Sequence, residues 1–160
     1  MIIPYDRSAA AAYAKRWAFA RNPAYLDFSR IGGDCTNFVS QCLYAGSGIM
    51  NTEPVYGWYY YNADNRSPSW TSVVYLHRFL TTNSGNGPFA TETTAREMCM
   101  GDVIQLANTG QPFSHAVLVV DVQGSELYVA SHSEDAWMKP LSAYRQPIRR
   151  FLHIEGVGIF

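Results

Sequence analysis

From Gly32 to Gly48 the chain reads GGDCTNFVSQCLYAGSG, and no other stretch narrows the fold as much. Cys35, Phe38, Val39, Cys42 and Leu43 fall at i, i+3, i+4, i+7 and i+8, a single apolar stripe along a helix. Asp34 is an N-cap residue type, and Gly46 or Gly48 is a natural stop. The pattern therefore predicts Cys35 in the first turn of a buried helix. Unpaired N–H groups and the helix dipole favour a thiolate at such a place. Asp34 opposes it, so a cationic partner is needed to hold the thiolate. Gly32-Gly33 permits close approach of another backbone or a ligand. The plain alternative is that Cys35 is a small core residue, as free cysteines commonly are, and that reading is kept for Cys42 and Cys99.

The rest of the chain divides into a helical first part and a β second part. Ser8 to Ala20 is Ala-rich and predicts a helix capped by Ser8 and ended by Asn22-Pro23, with a loop from Tyr25 to Gly33. Trp70 to Leu80 predicts a third helix and Thr81 to Pro88 a loop. The period then changes. Val103–Ala107, His115–Val122, Glu126–His132 and Ile148–Ile154 read as strands. Helices first and an antiparallel sheet second is the α+β pattern, here one domain over residues 1–160 with no repeat and no linker.

Charge and composition exclude several functions. The net charge is −1 and no Lys/Arg run occurs, which argues against a nucleic-acid or anionic-membrane binder. The longest aliphatic run, Ala116 to Val120, is far short of the ~20 residues that span a bilayer, so no membrane insertion is expected. MIIPYDRSAA lacks a basic segment followed by an apolar one, so no secretory signal is expected and the cytoplasm is the default location, with action outside the cell left open. Three Cys without a CxxC spacing predict no disulfide framework, no metal site and no cofactor.

Two histidines lie at strand ends. His115 opens a run of aliphatic residues, an odd place for an imidazole unless it sits at the edge of the core. His132 closes the next strand. If Gly124-Ser125 is a two-residue turn, Gln123 faces Glu126 and paired positions sum to 249. His132 then sits opposite Val117, diagonal to His115 on one face; a slip of one residue would separate the two. A helix-start thiol, a strand imidazole and a second polar group make a nucleophile, base and orienter set. The aromatics Trp58, Trp70 and Trp137 either line a substrate cleft or pack over the core.

GGDCTNFVSQCLYAG resembles the signature of the putative amidase-domain family, a branch of the papain-like, NlpC/P60 and CHAP cysteine hydrolases. YDRSAAAAYAKRWAFARNPAY, Trp70-Thr71, Gly101-Asp102-Val103-Ile104-Gln105 and Ser114-His115-Ala116 fit its other blocks, so the likeness runs from Tyr5 to His153. The resemblance implies a papain-like (NlpC/P60-like) fold with N-terminal helices packed on a small antiparallel sheet. It implies Cys35 as nucleophile, His115 as general base and His132 as the third polar residue, with Ser131, Ser133, Glu134 and Asp135 as substitutes nearby. Asp34 before the Cys matches the related Asp-Cys pattern. The Cys35 amide is the expected oxyanion donor, and Tyr25 is a second candidate. A peptide or peptidoglycan-like substrate is the implied partner. Competing readings are acyl transfer by the same residues, a non-catalytic binding module, and a metal site built from Cys35 and the histidines.

Overall fold

A computed structural model describes all residues, 1–160. The chain runs β1 (Ile2–Ile3), α1 (Arg7–Trp17), α2 (Cys35–Ser47), β2 (Tyr60–Asn62), β3 (Asn65–Arg66), α3 (Pro68–Thr71), α4 (Val73–Thr82), β4 (Gly87–Thr93), β5 (Val103–Ala107), β6 (His115–Gln123), β7 (Glu126–Ser131), β8 (Ala136–Pro140) and β9 (Ile148–Gly158). This is an α+β fold with one seven-stranded antiparallel sheet and a separate two-stranded ribbon of β2 and β3. The main ladder is β9-β5-β6-β7-β8. β4 takes one side of β9, while β5 and β1 share the other.

The helix bearing Cys35 is the centre of the molecule. α2 ends where expected, with Gly48 in the left-handed conformation at φ 67°. The predicted stripe of Phe38, Val39, Cys42 and Leu43 packs on Ala116, Leu118 and Val120 of β6. The opposite face of the sheet carries a smaller core in which Val117 and Val119 meet Ile104, Leu106, Val129, Leu141 and Tyr144. The other faces of α2 are covered as well: Thr36, Asn37, Ser40 and Gln41 are buried too. Buried polar groups need partners. Asn37 Oδ1 accepts from Trp70 Nε1 at 3.1 Å, Ser40 Oγ from Trp58 Nε1 at 3.1 Å, and Gln41 Oε1 from the Tyr13 hydroxyl at 2.5 Å. The polar positions of the helix thus anchor the aromatic tips that surround it.

Several boundaries differ from expectation. Asp6 and not Ser8 caps α1: its Oδ1 accepts from the Ala9 amide at 3.0 Å and from Ser8 Oγ at 2.8 Å, and the helix stops at Trp17. The expected third helix is broken at Ser72, which is extended and offers its hydroxyl to the Tyr75 amide as the cap of α4. α4 then continues through Thr82, into the segment read as a loop. β4 and β8 were not anticipated, and β7 ends one residue short of His132. The Arg149-Arg150 pair, which looks like a solvated pair in sequence, is partly buried: Arg149 Nη2 donates to the carbonyls of Leu141 and Tyr144, and Arg150 Nε to Gln105 Oε1 at 2.7 Å.

Candidate active site

Cys35 is the first residue of α2 and is 8% exposed. The first amides of a helix have no intrahelical partner. Here the Phe38 amide is the first to find one, the Asp34 carbonyl at 3.0 Å, which leaves the amides of Cys35, Thr36 and Asn37 without a backbone partner. The sulfur lies 3.8 Å from Thr36 Oγ1. Burial pushes the thiol above its ordinary range; the Ala116 amide and the amide and hydroxyl of Thr36 offset part of that rise, and Asp34 adds to it.

Ala116 directly follows His115, so the sulfur faces the opening of β6. His115 is half-buried, with its ring centroid 5.9 Å from that of Tyr144. Burial lowers its pKa below the ordinary imidazole value; Glu134 pulls it back up and Lys139 pushes it down further. No hydrogen bond joins the two side chains in the resting structure, and none orients the His115 ring.

His115 forms part of the wall of an open cleft of about 740 Å³ whose lining includes Arg21, Ser114, Ser133, Glu134 and Gln146 and no apolar side chain. Ser133 and Glu134 both have positive φ, 54° and 71°. Such a conformation persists in residues with a Cβ only where the surroundings hold it. Ser133 Oγ accepts from the Asp34 amide at 2.8 Å, tying this turn to the start of α2.

His132 does not stand behind His115. The β6–β7 register follows the 249 sum through Gln123/Glu126, Val122/Leu127 and Asp121/Tyr128, then slips by one at a bulge and continues as Val119/Val129 and Leu118/Ala130. That slip is the one that separates the two histidines. His132 is 1% exposed and stacks on Phe38 of α2 at 4.1 Å. Its Nδ1 lies 2.6 Å from Asp34 Oδ2, and its Nε2 lies 2.7 Å from the Trp17 carbonyl oxygen and 3.1 Å from Arg21 Nη1.

The remaining expected site residues divide as follows. Trp58 and Trp70 are fully buried, so they belong to the core and do not line a cleft. Their indole N–H groups found internal partners, which removes the reason to expect them at a surface. Trp137 is half-buried and packs against the main core. Tyr25 joins the same aromatic cluster, 4.9 Å from Tyr60 and 6.0 Å from Trp70, with burial pushing its phenol up to about 12; no hydrogen bond links it to the start of α2. Cys99, Asp102 and His153 form a separate group with donor atoms within 4.8 Å of one another. Asp102 there already accepts from four donors, which marks it as a structural hub. The residue the sequence reading missed is Arg21; Ser133 and Glu134, expected only as substitutes for the third polar residue, line the cleft beside His115. The sequence expectation is of a cation to hold the thiolate; Arg21 is a cation whose Nε lies 3.8 Å from Asp34 Oδ2.

Among curated proteins the chain is similar to Uncharacterized protein YhbB of Bacillus subtilis (strain 168), 34% identical over 159 residues, which takes in 94% of this chain and 50% of that protein. The chain thus spans about half the length of the curated relative it matches. No solved structure matches. No helix is long and apolar enough to cross a membrane. A family model described as a putative amidase domain matches residues 4–154, nearly the whole chain, and with the relative it shows that this chain belongs to the putative amidase domain family.

Proposed function

We propose that the chain is a thiol-dependent hydrolase of amide or peptide bonds, with a papain-like arrangement in which Cys35 is the nucleophile and His115 the general base. The observation that carries this reading is the start of α2: a cysteine among helix amides without backbone partners, its sulfur turned to the residue that follows His115. In the reaction the sulfur attacks the amide carbonyl carbon while His115 takes the thiol proton. The tetrahedral oxyanion is met by the Cys35 and Thr36 amides. Collapse breaks the C–N bond, His115 returns the proton to the leaving amine, and water then attacks the acyl-enzyme with His115 again as base. The imidazole has to close on the sulfur when substrate binds; catalytic hydrogen bonds are often long in unliganded sites.

The all-polar cleft beside His115 suits a hydrophilic chain, and a cell-wall peptide is the substrate this reading favours. Iodoacetamide labelling at neutral pH tests the mechanism: Cys35 should react much faster than Cys42 and Cys99, and His115→Ala should remove that difference. Equal, slow labelling of all three would end the hydrolase reading. Zymography on cell walls with the wild type and Cys35→Ala tests the substrate, and clearing by neither form would direct the search to another amide.

A further inference from the structure

An Asp before a helix ordinarily turns its carboxylate onto the amides of the second or third helical residue. Asp34 occupies that position at α2 and makes no such bond. Its Oδ1 instead accepts from the Phe28 amide at 2.8 Å and from Asn37 Nδ2 at 2.9 Å. Its Oδ2 accepts from His132 Nδ1 at 2.6 Å, with Arg21 Nε 3.8 Å away. Asp34 and His132 are each 1% exposed. His132 cannot drift, because its other nitrogen meets the Trp17 carbonyl and its ring lies on Phe38.

The diversion matters for the neighbouring residue. A capping carboxylate would occupy the Thr36 or Asn37 amide and bring a full negative charge to the place where the sulfur and the oxyanion develop theirs. Even in its diverted position Asp34 opposes ionisation of Cys35.

We propose that His132 is a positioning residue that, with Arg21, holds the Asp34 carboxylate away from the α2 amides and offsets its charge, keeping those amides available to the Cys35 sulfur. The use of the amides in catalysis rests on the hydrolase reading above; the diversion itself is read from thiol chemistry and needs no substrate. The charged and titratable groups facing this corner are Asp34 itself, His115 from β6, Arg21 and Asp27 from the loop between α1 and α2, His132, Glu134 and Asp135 from the β7–β8 turn, and Lys139 from β8.

The test is the pH–rate profile of Cys35 alkylation by iodoacetamide, followed by peptide mass on the full chain carrying Cys99→Ser, with circular dichroism reporting the fold. His132→Ala should move the midpoint up by about one pH unit, a roughly tenfold loss of rate at neutral pH. Adding Asp34→Asn to that variant should bring the rate back to within about threefold of wild type, because the charge is removed with the latch. A wild-type midpoint in folded His132→Ala, or a double variant no faster than the single one, overturns the proposal. If His132→Ala does not fold, His132→Gln and Arg21→Gln, each with and without Asp34→Asn, are read the same way, and no upward midpoint shift in Arg21→Gln counts against it. Failure of the hydrolase reading looks different: Cys35 is then no faster than an ordinary buried thiol and His115→Ala changes nothing, whatever His132 does.

Discussion

Truncating Asp102 to Ala should destabilise the fold far more than a single charge on a β-strand end would suggest. Asp102 is fully buried just before β5 and serves three elements at once. Oδ1 accepts from Arg7 Nη1 at 2.7 Å and from the Ile154 amide at 2.9 Å; Oδ2 accepts from the Cys99 amide at 2.8 Å and from His153 Nδ1 at 2.8 Å. Removal leaves two amides without a partner, each costing roughly 1–3 kcal/mol. Breaking a buried ion pair by removing one member costs about 3–5 kcal/mol in comparable cases. Arg7 tempers this, because its side chain is 25% exposed and keeps the carbonyls of Met100 and Ile154 as acceptors. A loss of about 3–5 kcal/mol is therefore expected, against a typical total of about 5–15 kcal/mol. Arg7→Ala leaves the buried Asp102 carboxylate with its two amides and His153, so it should cost less, about 1–3 kcal/mol. Urea unfolding followed by far-UV circular dichroism, on both single variants and the double, separates the contributions. An Asp102→Ala cost below about 1 kcal/mol, or an Arg7→Ala cost equal to it, would refute the amide-anchoring argument.

Two further outcomes follow from the same geometry. Trp70→Ala should act as a core truncation, losing about 3–5 kcal/mol while leaving KM for an amide substrate unchanged in the folded fraction; near-wild-type stability with a raised KM would return Trp70 to a cleft. His115 has its proton affinity lowered by burial, so the unfolded chain binds that proton more readily than the folded one. Its contribution to stability is present above the ordinary imidazole range and is lost as pH falls through the depressed value. Tm measured down that range should fall more in wild type than in His115→Gln, and parallel curves would count against the burial effect.

The elements legible in the sequence were those with a clean period and clear ends. α2 has five stripe positions between Asp34 and Gly48, and β5, β6 and β7 are apolar enough to read as buried strands. β4 was not legible because GPFATET begins with Gly-Pro and ends in polar residues; it is a strand through its pairing with β9 and not through its own pattern. β8, read from AWMKP, is likewise held by β7, with Met138 at positive φ. The break at Ser72 lay inside a helical period, and only the hydroxyl's bond to the Tyr75 amide reveals it as a cap. The burial of Trp58 and Trp70 depended on partners one helix away, Ser40 and Asn37, whose polarity in sequence pointed toward solvent.

The two histidines show how a local irregularity decides a functional assignment. Hairpin arithmetic holds for three successive pairs from the turn, and then one residue of β6 is left over near Val120. A bulge costs little in a strand and reverses the face of everything beyond it. With the slip, Ala130 keeps to the α2 side of the sheet and His132, just past the strand, meets Phe38 and Asp34. The same imidazole that an unbroken ladder would have set beside His115 is delivered to the carboxylate next to Cys35. A thiol beside an acidic cap needs that carboxylate drawn away, and the bulge is what brings a donor within 2.6 Å of it. Arg21 lies 3.8 Å from the same carboxylate and His132 supplies the hydrogen bond to it, so the surroundings of Cys35 are set jointly by the loop after α1 and the register of β7.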